Sequence, residues 1–139
     1  MGSSSVVVQG PGALPTRLVR RTIASVLDGE RRAAALSVTF LGWRAMRRLN
    51  AEALGHDRPT DVIAFALPQP DGTLAGDIYL CRPQAVREAH ERGIAPREEL
   101  LRLLVHGTLH VLGWDHPVGA GRERSPMWQR QERYLRALT

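Results

Sequence analysis

The sequence predicts a single α+β domain (α/β-like), with a mixed four-stranded sheet and about five helices. Three observations predict it. Short β-type runs alternate with amphipathic helical ones. Two of the strands flank a hairpin signal at Asp71-Gly72. The chain has 139 residues, 43% of them hydrophobic, which is enough for one core.

The elements follow in order. Residues 6–8 read as a short strand closed by Gly10-Pro11-Gly12. Thr16 is placed to cap the next helix, where Leu18, Val19, Ile23, Val26 and Leu27 recur at helical spacing until Asp28-Gly29. Residues 36–40 alternate apolar and polar, as a half-buried strand does, and Gly42 breaks them. Residues 43–54 form a second helix, with Arg44, Arg47 and Arg48 on one face. His56 to Asp61 is a polar turn, 62–67 a compact apolar strand, 68–72 a second turn and 74–80 the next strand. Residues 83–92 read as a helix ended by Gly93. Pro96 opens the most apolar helix, 98–112, and Ser125 caps a last one that runs to Leu138.

Composition excludes several chemistries. Every basic residue is Arg, so catalysis by lysine is ruled out. The first 60 residues hold nine Arg against Asp28, Glu30, Glu52 and Asp57, and carry the whole net charge of +5. The remainder is balanced. A basic half beside a neutral half points to a polyanionic partner, with Arg44, Arg47 and Arg48 as phosphate contacts. Only 5% of residues are aromatic, which argues against a broad base-stacking platform. Cys81 is the only cysteine, which excludes an internal disulfide. It reads as a small buried hydrophobe and is compatible with a reducing cytoplasm. No apolar run nears the roughly 20 residues of a membrane helix, and residues 1–12 lack a basic leader region, so neither a membrane partner nor a secretory signal is expected.

The chemistry concentrates at His106-Gly107-Thr108-Leu109-His110-Val111-Leu112-Gly113-Trp114-Asp115-His116. His106 and His110 are four apart on a helix, so their rings leave one face about 5–6 Å apart at Cβ. Gly113 can end the helix through a left-handed residue, Pro117 discourages continuation, and the chain can bring His116 round to the same ion. Three imidazoles leave the fourth tetrahedral position of one zinc ion open for water, the arrangement of catalytic rather than structural sites. The spacing equals that of the metzincin proteases. Their general base, however, is a Glu at the position held here by Gly107, which has no side chain to move a proton, so a peptidase is disfavoured. Asp115 is the nearest carboxylate in sequence. It is a candidate for orienting a ligand or for acid/base work, against the plainer role of a turn residue.

These residues resemble the YbeY family, bacterial zinc-dependent endoribonucleases that mature ribosomal RNA. The pattern H-G-x-L-H-x-x-G-x-D-H is complete from His106 to His116. Leu49-Asn50, Asp57-x-Pro59-Thr60-Asp61-Val62-Ile63-x-Phe65, Gly76-Asp77-Ile78 and Met127-Trp128-x-x-Gln131-Glu132 are similar to further family segments, in the family's order over roughly residues 36–138. The resemblance implies a zinc cleft at one end of the sheet, with His106, His110 and His116 as ligands. It further implies cleavage of single-stranded RNA in small-subunit rRNA 3′-end maturation, ribosome quality control, and a cytoplasmic protein working with the small subunit. One departure stands out. Where the family carries Arg, this chain has Leu54. Arg58, His56 or the arginines of the preceding helix are the candidates to contact RNA instead. For Asp61 a cap of the turn, and for Asp77 a backbone contact or support of the metal ligands, are expected rather than catalysis. Two other readings stay open: a non-catalytic ribosome-assembly factor with a structural zinc, and a zinc hydrolase acting on peptide or a small phosphoester.

Overall fold

A computed structural model describes residues 4–10, 12–58, 60–116 and 121–138. Pro11, Pro59 and Pro117, which enter the sequence reading above, lie outside the described residues. Four strands form one sheet in the order β1-β2-β4-β3. β1 (Ser5–Gln9), β2 (Ala35–Leu41) and β4 (Ala75–Cys81) run parallel, and β3 (Val62–Ala66) joins β4 antiparallel, so the sheet is mixed. The β3–β4 hairpin turns at Gly72, whose φ of 86° favours glycine, and the Asp71 carboxylate accepts the Thr73 amide at 3.0 Å.

Five helices fill the connections and the C-terminal part: α1 (Thr16–Glu30), α2 (Trp43–Leu54), α3 (Arg82–Arg92), α4 (Pro96–Val111) and α5 (Pro126–Leu138). A 3₁₀ turn, Arg122–Arg124, precedes α5. Ser125 caps α5 as expected, its hydroxyl accepting the Trp128 amide at 3.2 Å. Thr16 does not cap α1. Pro15 holds the cap position without a side-chain bond, and Thr16 is already the first helical residue. Nor does Asp28-Gly29 stop that helix. It continues to Glu30 and ends at Arg31, which is left-handed at φ 57°. Gly29 is helical, and the Tyr134 ring lies where a side chain at that position would be.

The strand alternation assigns two faces. Leu36, Val38 and Phe40 of β2, with Ile78 and Leu80 of β4, pack under α1 and α4. Ile63, Phe65, Tyr79 and Cys81 face the other way, toward Met46 and Leu49 of α2. α4 is the central element: from Glu99 to Val111 all residues except Arg102 and His110 are buried. Its approach to β4 is close. A side chain at Gly107 would meet Ile78 Cγ2 at 2.8 Å, and one at Gly76 would meet Val111 Cγ2 at 2.8 Å. The absence of the protease-type Glu at 107 thus has a packing cause, because that position faces the sheet. Among the described residues no helix is long and apolar enough to cross a membrane.

Gly107→Glu is accordingly expected to destabilise the protein by about 3 kcal/mol or more, from overpacking and a buried carboxyl together. Chemical denaturation would measure it. A variant as stable as the wild type would contradict the close helix–sheet contact.

Candidate active site

The site begins with α4. Because Gly107 and Val111 face the sheet, His106 turns toward α5, and His110 emerges exposed at the helix end. His106 is buried. Its Nδ1 lies 2.7 Å from the Gln131 side-chain oxygen. The Gln131 amide nitrogen donates to Glu132 at 3.1 Å, which leaves the oxygen as acceptor for the ring N–H. Nε2 of His106 is then the lone-pair nitrogen. Burial pushes this imidazole down to about 4, outweighing the Gln131 bond that acts in the opposite sense, so it is neutral at physiological pH and fit to be a ligand.

The turn after α4 carries His116 back. Gly113 takes φ 102°, and its amide donates to the His110 carbonyl at 3.0 Å. Trp114 anchors the turn. Its indole N–H donates to Glu30 at 2.8 Å, and the Arg130 guanidinium lies 4.7 Å above its ring. Glu30 also accepts Arg130 at 2.8 Å and Tyr134 at 2.6 Å. Burial alone would raise the Glu30 carboxyl, but these donors hold it below its usual range. Asp115 accepts the His116 backbone N–H at 3.0 Å, so its carboxylate shapes the loop bearing that histidine. The rings of His106 and His116 come within 5.0 Å, centroid to centroid.

The donor chemistry of the three histidines suits zinc: one neutral buried imidazole oriented by Gln131, one exposed at the helix end, and one on an anchored turn. Among the described residues they are not a trio whose ligand atoms all lie within 4.8 Å of one another.

Among the described residues a different trio reaches that spacing, Asp61, Glu88 and Glu99. These line a cleft of about 260 Å³ that His106, Gln131, Trp128 and Arg122 also border. Their charges are largely accounted for. Glu99 accepts Arg92 at 3.1 Å and Arg102 at 2.9 Å. Burial, reinforced by a hydrogen bond to Asp61, raises Glu88 to about 7. The trio therefore reads as a hydrogen-bonded Glu88–Asp61 pair beside a doubly bridged carboxylate.

The sequence did not foresee the place of Asp61 in this cleft. Asp77 is not there. It accepts the Ser37 hydroxyl at 2.6 Å across the β2–β4 pair, on the sheet face opposite Ile78 and α4, so it does not support the histidines. Arg44, Arg47, Arg48, His56 and Arg58 are exposed on α2 and the turn after it, and none borders the cleft. Arg47 donates to Asp57 at 2.8 Å, an exposed pair of little energetic weight. Leu54 is half exposed. Burial pushes the Cys81 thiol up, which makes it an inert core residue. Gln131, Glu30 and Arg122 were missed as site residues. Gln131 lies 25 residues from His106, and no local pattern links the two.

Comparison with known proteins bears on this site. The family described as Endoribonuclease YbeY matches residues 13–139. An endoribonuclease YbeY of Chloroherpeton thalassium is 36% identical over 90% of this chain and 87% of its own length. One from Geobacter sulfurreducens is 40% identical over 91% of this chain and 86% of its own. The solution structure of TM1509 from Thermotoga maritima superposes with a TM-score of 0.69 at 27% identity, covering 96% of this chain and 88% of that one.

A pH dependence follows from Glu88. Its folded value, about 7, is above its ordinary 4.5. The folded state therefore holds the proton more tightly, and this contribution to stability is lost as pH rises from about 4.5 through 7. Glu88→Gln keeps a donor for Asp61 without the titration. Its thermal unfolding should gain on the wild type as pH goes from 5 to 8. Parallel curves would contradict the assignment.

Proposed function

Since the chain belongs to the endoribonuclease YbeY family, we propose that it hydrolyses single-stranded RNA at the His106–His110–His116 site, with one zinc ion, in 3′-end maturation of small-subunit ribosomal RNA. The single observation that carries the reading is the buried, neutral His106 with its Nδ1 proton held by Gln131. In this reading His106, His110 and His116 are the three protein side chains that would hold the ion. When bound, it would supply charge stabilisation for phosphodiester hydrolysis and lower the pKa of a water.

The chain's own residues do the rest. Gln131 fixes the tautomer and ring plane of His106. Trp114, held by Glu30 and Arg130, keeps the turn bearing His116 near α4, and Asp115 secures that histidine's amide. Asp115 thus acts by positioning. Arg44, Arg48 and Arg58, with Arg47 beside Asp57 and with His56, form a basic surface for the RNA backbone away from the scissile bond. The excess charge of the first 60 residues supports this role. The working site is the small ribosomal subunit in the cytoplasm.

The decisive experiment is to incubate the zinc-loaded protein with a small-subunit rRNA precursor and map the 3′ ends. Wild-type protein should cleave it, and His110→Ala or chelation should lower the rate at least about a hundredfold. Cleavage unchanged by either would exclude the metal mechanism. Gln131→Leu is expected to weaken zinc affinity about 10–100-fold while preserving the fold, read by competition with a chromophoric chelator. Unaltered affinity would mean that Gln131 does not orient the ligand.

A further inference from the structure

We propose that Arg122 is a phosphate-holding group of the cleft, its guanidinium taking an anionic oxygen of single-stranded RNA beside His106. Arg122 borders the same cleft as His106 and Gln131. Its Nε is buried and has no hydrogen-bond partner among the described residues. A buried guanidinium N–H without an acceptor is costly, and an incoming phosphodiester oxygen satisfies it.

Among the described residues Arg122 enters no ion pair, although Glu123 also borders the cleft. Arg92 and Arg102, the other arginines of the cleft, are engaged by Glu99. Glu91 accepts Arg87 at 3.4 Å, and Glu88 is hydrogen-bonded to Asp61.

The backbone of Arg122 is firmly set. Its carbonyl accepts the Ser125 hydroxyl at 2.8 Å and the Ser125 amide at 3.2 Å, immediately before α5. A guanidinium offers planar, forked donors to phosphate oxygens, which an ammonium does not. This role lies at the cleft itself, unlike the basic surface of α2, and supplies there a cation that Leu54 cannot.

The inference rests on the RNA-cleaving reading of the site, and the test separates the two. A short fluorescein-labelled single-stranded RNA is titrated, at several salt concentrations, onto His110→Ala protein with and without Arg122→Gln or Arg122→Lys. Arg122→Gln should weaken binding about tenfold and make the log–log salt dependence shallower by about 0.7, the value for one single-strand phosphate contact. Arg122→Lys should keep the slope and lose part of the affinity. The Arg122 Nε–H resonance of the unsubstituted site, assigned by its absence from Arg122→Lys, should shift when RNA is added, which provides a readout even where Arg122→Gln fails to fold. An unmoved resonance, or a folded Arg122→Gln with unchanged affinity and slope, overturns the assignment. If the wild type still cuts RNA in that case, the site reading survives without Arg122. A wild type that neither binds nor cuts RNA overturns both.

Discussion

The close seating of α4 on β4 is the contact on which the rest of this molecule depends. Gly107 against Ile78 and Val111 against Gly76 bring helix and strand nearer than side chains at the two glycines would permit. This fixes the rotation of α4. Once Gly107 faces the sheet, the residue before it faces α5 and the cleft, and the residue three further on faces outward. The side of α4 on which the two histidines lie is therefore set by apolar packing, before the Gln131 contact orients the His106 ring.

Polar contacts then set how α5 lies across α4. Apolar burial alone, from Met127 and Leu135, would tolerate sliding. Two ion-paired centres prevent it. Arg102 of α4 reaches Glu132 of α5 at 2.9 Å while also bonding Glu98 and Glu99. Glu30, at the end of α1, gathers Arg130, Tyr134 and the Trp114 indole. Such partly buried networks add less to stability than to choosing one arrangement over its neighbours. Here that choice places Gln131 at hydrogen-bond distance from His106.

Much of the fold was legible in the sequence because it is written in local periodicity. α2 begins and ends where its apolar spacing does, and the β3–β4 hairpin turns at Asp71-Gly72. The sequence misled where a distant residue overrode a local signal. Gly29 looked like a stop but remains helical beneath Tyr134, more than a hundred residues away. Likewise the three histidines stand out as candidates by spacing alone, whereas Gln131 and Glu30 come near them only through the packing of α5. Asp61 and Asp77 look alike as isolated carboxylates in resembling segments. Which side of the sheet each serves depends on strand register, and a single-residue change of register would exchange the faces.

The contacts around Gln131 also form a directed line. Arg102 donates to Glu132, Glu132 accepts the Gln131 amide N–H, and the Gln131 oxygen accepts the His106 ring N–H. Each link sets the polarity of the next, so the Gln131 amide has one orientation and the imidazole one tautomer. For His106 to move its proton to the other ring nitrogen, the amide would have to rotate and present its N–H group to the ring, leaving its oxygen against the Glu132 carboxylate. A guanidinium one turn earlier on α4, acting through two side chains of α5, thus sets which nitrogen of the histidine carries the lone pair.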